Sequence, residues 1–138
     1  MKKFISEAIS LTLTLALILC LAACGSTAAK EELWESATYT KDTTLGNGAK
    51  TATVEYQIGE EKITFTIKTD KETLGAALYE LGLINDASFF DTLNGIKADW
   101  DANSAYWAFY VGDDYAMVGA NETVIQGGET YKFVYTTM

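Results

Sequence analysis

Three residue types are missing from this 138-residue chain: histidine, arginine and proline. Without histidine there is no Ser-His-Asp or Cys-His machinery, no histidine-ligated zinc, and none of the side chain that most often moves a proton near neutral pH. Ten lysines stand against nineteen acids, giving a formal net charge of −9 with no guanidinium among the cations. Phosphate binding needs a basic surface and favours the arginine fork, so a nucleic-acid groove is excluded. The loss of these classes points to a non-enzymatic binding or interaction role. With no proline, the turns fall to Gly46-Asn47-Gly48, Gly59, Asn94-Gly95, Gly112-Asp113-Asp114 and Gly127-Gly128.

Cysteine is equally scarce, and both copies, Cys20 and Cys24, lie near the N-terminus. Lys2 and Lys3 are followed by a run from Ala8 to Ala23 that is apolar except for Ser10, Thr12 and Thr14, the layout of a secretory signal. A spanning helix needs about 20 predominantly apolar residues, which this run reaches only by borrowing polar neighbours. It ends in Leu21-Ala22-Ala23-Cys24, which resembles the lipobox of bacterial lipoproteins, where the cysteine thiol receives lipid. The expectation is a signal over residues 1–23, lipidation at Cys24, a polar tether over 24–33 and one domain over 34–138. Cleavage there leaves 115 residues and moves the formal net charge from −9 to −10. The exported domain then has no free thiol and no disulfide, so packing must hold it. Its acidity repels anionic headgroups, so the acyl chains make the membrane contact, with the domain facing outward from the cell membrane.

Periodicity sets the fold class. Ala52, Val54, Tyr56 and Ile58 alternate with Thr51, Thr53, Glu55 and Gln57; beyond Gly59 the alternation resumes with Ile63, Phe65 and Ile67, predicting a hairpin. Thr69 and Glu72 have capping-box spacing, and Leu74, Ala77, Leu78 and Leu81 follow at helical intervals up to Gly82. Strand-like runs return at Phe89–Ile96, Tyr106–Val111, Tyr115–Val118 and Thr130–Thr136, the last with Tyr131, Phe133 and Tyr135 on one face. Hairpin, helix and further strands predict an α+β fold, a small grasp-like curled β-sheet with a single packed helix.

The runs Ala37-Thr38-Tyr39-Thr40-Lys41-Asp42-Thr43-Thr44-Leu45-Gly46, Thr69-Asp70-Lys71-Glu72-Thr73-Leu74, Leu93-Asn94-Gly95-Ile96, Ala98-Asp99-Trp100-Asp101 and Ala105-Tyr106-Trp107-Ala108-Phe109-Tyr110 carry a resemblance. Together with Trp34, they resemble a family of bacterial lipoproteins with a transcobalamin-like C-terminal domain. In the animal members the related domain is the small β-rich half that closes over cobalamin, and a large helical barrel supplies the other half of the site. The resemblance implies the fold and suggests a corrinoid as ligand, although this sequence has no counterpart of the barrel. The family's Tyr-Trp step corresponds to Tyr106-Trp107, but the polar residue that follows it is here Ala108.

Aromatic residues are the strongest compositional anomaly. Of the 16 that follow Cys24, 12 lie between Tyr79 and Tyr135. In one strand Trp107, Phe109 and Val111 face one way and Tyr106, Ala108 and Tyr110 the other, so both rows cannot fill one core. The candidate ligand-binding set is Tyr106, Trp107, Phe109 and Tyr110, with Trp100 and Tyr115 beside them. An exposed aromatic row suits a planar ligand such as cobalamin or a cell-surface protein partner, and cross-strand packing is its structural alternative. Asp99, Asp101 and Asn103 alternate like the first ligands of a calcium loop, but Ser104 and Tyr110 stand where that loop needs glycine and glutamate, so Asx-turn bonding is the better account and no metal or cofactor is expected. Asp113-Asp114 and Asn94-Gly95 read as turn dipeptides.

Overall fold

The computed structural model describes residues 32–138. The signal, Cys24 and the tether up to residue 31 lie outside the described residues. Glu32–Glu35 are helical, where the tether reading has Glu32 and Leu33 as irregular chain. A compact unit runs from Ser36 to Met138.

The two alternating segments form strands β2 (Lys50–Ile58) and β3 (Glu61–Thr69), paired antiparallel along their whole lengths. The two-residue turn between them is Gly59-Glu60, and Gly59 takes φ 61°, the primed-turn conformation whose twist matches the strands. Inward-facing Ala52, Val54, Tyr56, Ile58, Ile63, Phe65 and Ile67 are all buried. Strand β1 (Thr43–Gly46) lies parallel to β3 on its outer side, an element that the short stretch Thr-Thr-Leu-Gly does not announce by alternation. Strand β8 (Thr130–Thr137) runs parallel to β2, and β6 (Ala105–Val111) runs antiparallel to β8. With the short β7 (Asp114–Tyr115), the order across the sheet is β1-β3-β2-β8-β6-β7. The last strand therefore sits beside the first strand of the hairpin, giving the curled, grasp-like α+β sheet expected from the order of elements.

Helix α1 (Leu74–Glu80) buries Leu74, Gly75, Ala77 and Leu78. Its cap corrects the expected capping box: Thr73, not Thr69, accepts from the Ala76 N–H at 3.4 Å. Thr69 still belongs to β3, and its hydroxyl accepts from Lys71 N instead. The chain needs Asp70–Glu72 to leave the sheet, and the helix entry is then fixed by two backbone bonds to another segment, Leu74 N to Thr123 O at 2.8 Å and Ile125 N to Glu72 O at 2.9 Å. That segment includes a 3₁₀ turn at Ala120–Glu122. Gly75 permits the contact, because a Cβ there would stand 2.8 Å from Asn121 Cα.

The expected strand Phe89–Ile96 is mostly something else. Only Thr92–Leu93 (β4) and Ile96–Lys97 (β5) pair, as a small hairpin around Asn94-Gly95. Upstream, the Asp86 carboxylate accepts the N–H groups of Ser88 and Phe89 at 2.7 and 3.1 Å, a local bonding pattern that competes with a ladder and leaves Phe89 86% exposed. Those bonds hold the Asp86 carboxyl below its ordinary range. Strand β7 likewise stops at Tyr115 and does not reach Val118.

Asn94-Gly95 is a turn, with φ 54° and 81° at its two residues, but it is not a surface one. Asn94 is fully buried. Its amide donates to Tyr39 O and accepts from Tyr39 N, both at 2.9 Å, while its backbone accepts from Thr38 N and donates to Leu83 O. Four bonds from one residue thus tie the start of the domain to the segment that follows α1, and a Cβ on Gly95 would collide with Ser36 O at 2.4 Å.

Candidate functional site: two clefts beside strand β6

Strand β6 is entered through a short helix, α2 (Trp100–Asn103). Asp99 caps it, accepting from Ala102 N at 3.0 Å, and Ser104 ends it in the left-handed region at φ 50°. The alternation of Asp99, Asp101 and Asn103 is therefore helix-start chemistry at its first member, with the other two exposed. From Ala105 onward the chain pairs with β8 at seven positions, whereas β7 reaches only Tyr110 and Val111. The outer edge of β6 from Ala105 to Ala108 has no strand partner among the described residues.

The two aromatic rows take the two faces of the sheet. Trp107, Phe109 and Val111 stand opposite Tyr135, Phe133 and Tyr131 on the inner face, while Tyr106, Ala108 and Tyr110 stand opposite Thr136, Val134 and Lys132 on the outer one. Trp107 is fixed by its indole N–H, which donates to Asp91 O at 3.1 Å, and by rings at 5.2 Å (Tyr56) and 5.4 Å (Tyr135). Phe109 lies flat on Phe133, centroids 4.8 Å apart and planes 11° apart, and Phe90 meets Phe133 edge-on at 5.6 Å. Unlike the inner positions of β2 and β3, Trp107 and Phe109 are only half-buried.

They are half-buried because they border open space. One cleft, of about 310 Å³, is bordered by Trp107, Phe109, Phe133 and Tyr115 of the sheet and by Phe90 and Gly119–Asn121 of the connecting segments. A second, of about 350 Å³, is bordered by Ala105, Tyr106 and Trp107 of β6, by Trp100, and by Asp91, Lys97, Asp99 and Asp101. Phe89, Phe90 and Trp107 belong to both. Of the six aromatic candidates, Trp107, Phe109 and Tyr115 meet in the first cleft, and Trp100, Tyr106 and again Trp107 in the second. Tyr110 lines neither and packs edge-on against Tyr115 at 5.4 Å. Sequence reasoning missed Phe90, Phe133 and the Gly119–Asn121 stretch as walls. Phe133 was legible as a strand position, but no periodicity shows that Gly119–Asn121 folds back over β6.

Several ionisable groups near the clefts are engaged structurally. Asp113 pairs with Lys132 at 2.9 Å across the β6–β7 turn. The hydrogen bond from Lys132 is the main cause that lowers the Asp113 carboxyl, and the same bond raises the lysine. Asp114 is a ladder residue opposite Val111. Burial raises the Tyr56 phenol against the opposing effect of a hydrogen bond with Asn94, and burial followed by the Asp99 charge raises that of Tyr135.

No protein-family model and no curated protein matches the chain. Among solved structures, a provisionally assigned metal binding protein from Ruminococcus gnavus superposes with a TM-score of 0.59 at 23% identity, covering 64% of this chain and 98% of that one. Haptocorrin in complex with Cbi gives a TM-score of 0.49 at 15% identity over 67% of this chain and 27% of haptocorrin. The first of these shares the fold over the part of the chain that it covers.

Proposed function

We propose that this protein is a non-enzymatic binding module, held at the outer face of the cell membrane by lipid on Cys24, that takes a planar ligand such as a corrinoid in the cleft over Trp107 and Phe109. One observation carries the reading: an inward aromatic row, which elsewhere in the sheet is sealed, is here left half-open around a cleft. About 300 Å³ is the lower end of ligand-pocket volumes, and its walls are aromatic with few polar groups, which suits a flat apolar edge. A corrinoid exceeds that volume, so one edge of the macrocycle would seat there and the rest would remain for a second surface. Among the described residues no three His, Cys, Asp or Glu side chains are grouped so that they could hold a metal ion.

Calorimetry of the full chain in detergent against hydroxocobalamin and haem tests the ligand. Heat of binding that disappears in Phe109→Ala supports the cleft; no binding of either macrocycle by a folded protein refutes it. For the anchor, Cys24→Ala should lose incorporation of labelled fatty acid, and equal labelling of the variant would sink that part.

A second reading has its own observation. Phe89, Met117 and Tyr115, next to the first cleft, are 86%, 95% and 60% exposed, more apolar surface than a small ligand would cover. A cell-surface protein seated over them would protect all three from solvent, whereas a small ligand would leave Met117 accessible to oxidation.

A further inference from the structure

The second cleft is lined by a different chemistry. We infer that it is a site for a small organic cation, an alkylammonium or quaternary ammonium group held against the Trp100 and Tyr106 rings with the Asp101 carboxylate at its rim. This goes beyond the planar-ligand reading, since neither Trp100 nor Tyr106 borders the first cleft.

Three features converge on it. Trp100 is 55% exposed at the start of a four-residue helix that buries nothing, so its ring contributes little to the core. The ring stands edge-on to Tyr106, centroids 6.3 Å apart and planes at 64°, and both rings border the cleft. An aromatic face bordering a cleft presents the negative side of its π-system, which attracts ammonium groups. The third feature is charge. Asp91, Asp99 and Asp101 face a single cation, Lys97, around the opening. Lys97 is committed to Asp99 at 3.8 Å, and the Asp91 carboxylate accepts from Asn85 and Thr92. Asp101 makes no hydrogen bond or ion pair among the described residues and is exposed beside Trp100. The Asp99 charge reaches Tyr135 as well, adding to the burial that raises its phenol. A neutral planar ligand gains nothing from this field, and an anion is repelled by it; a weakly hydrated organic cation gains from both rings and carboxylates.

The probe is choline, and the control is 3,3-dimethyl-1-butanol, which has the same shape without the charge. Titration of the full chain, followed by calorimetry and, where Trp100 is present, through its indole N–H resonance, should give choline an affinity about tenfold above that of the alcohol, the factor expected when the rings read charge and not volume. Trp100→Ala should reduce choline affinity about tenfold with unchanged thermal stability, Trp100→Phe should restore part of it, and Asp101→Asn should weaken it and flatten its salt dependence. Phe109→Ala should leave it unchanged, which separates failure of this site from failure of the first cleft. Phosphatidylcholine vesicles that shift the same resonance would identify a lipid headgroup as the source of the ammonium; a response to free choline alone would identify a solute. Equal binding of choline and the alcohol, wild-type affinity in Trp100→Ala, or a Trp100 resonance indifferent to choline would each overturn the inference.

Discussion

The two halves of the sheet are built from the same alternating pattern and end in different states. On β2 and β3 every inward residue from Ala52 to Ile67 is sealed, at 4% exposure or less. On β6 the inward Trp107 and Phe109 stay half-open although they are larger and more apolar than most of their counterparts. The cover differs, not the strand. Helix α1 has seven residues, roughly 10 Å of axis, whereas six strands side by side span roughly 24 Å. Its C-terminal end lies by β1, where a Cβ on Gly46 would come 3.2 Å from Leu81. The far half of the sheet is left to irregular chain at Ser88–Asp91 and Ala116–Asn121, and such chain cannot fill space as a helix does. An open face results where the fold runs out of helix.

Mutations can break or sharpen that contrast. Phe65→Ala, in the sealed half, should cost about 3–5 kcal/mol in urea unfolding, since a fully buried ring leaves a cavity that its neighbours cannot close. Asn94→Ala should come next, at about 2–3 kcal/mol, because two part-buried backbone groups of Tyr39 lose their partners. Phe109→Ala, in the open half, should cost only about 1–2 kcal/mol, as water already reaches the ring and can occupy the space. A loss equal to that of Phe65→Ala would mean that the cleft is closed in solution and would end the contrast. Trp100→Ala should change stability by less than about 1 kcal/mol.

The smallest effect is electrostatic. Asp113 has a lowered pKa in the folded state, so its contribution is complete above the ordinary carboxylate range and is lost as pH falls through the lowered value. Lys132 has a raised pKa, so its contribution is complete below the ordinary lysine value and is lost as pH rises through the raised one. Between those limits the pair is intact. Asp113→Asn should therefore narrow the acid-side difference in melting temperature slightly, and an unchanged acid limb would show the pair to be solvent-screened to nothing.

Much of this was legible in the sequence. Alternation gives the hairpin, the 3.6-residue interval gives α1, and the facing of Tyr131, Phe133 and Tyr135 follows from a period of two. The two rows of β6 were separable on the same ground. Periodicity fails where a local side chain outbids the ladder, as Asp86 does before Phe89, and where pairing comes from a segment too short to show a period, as in β1. It also misplaces Asn94: an Asn-Gly step announces a turn, but only tertiary contact with Tyr39 decides that the turn is buried.

What the sequence by itself determined is the β2–β3 hairpin, the helix after it, the strands β6 and β8 and the absence of histidine and arginine chemistry, because each rests on residue type and near-neighbour spacing. What only the tertiary structure decided is which aromatic rows remain open. That depends on how far one short helix reaches across six strands, and on how the loops at Ser88 and Ala116 fold back beside β6, a path that no local pattern encodes.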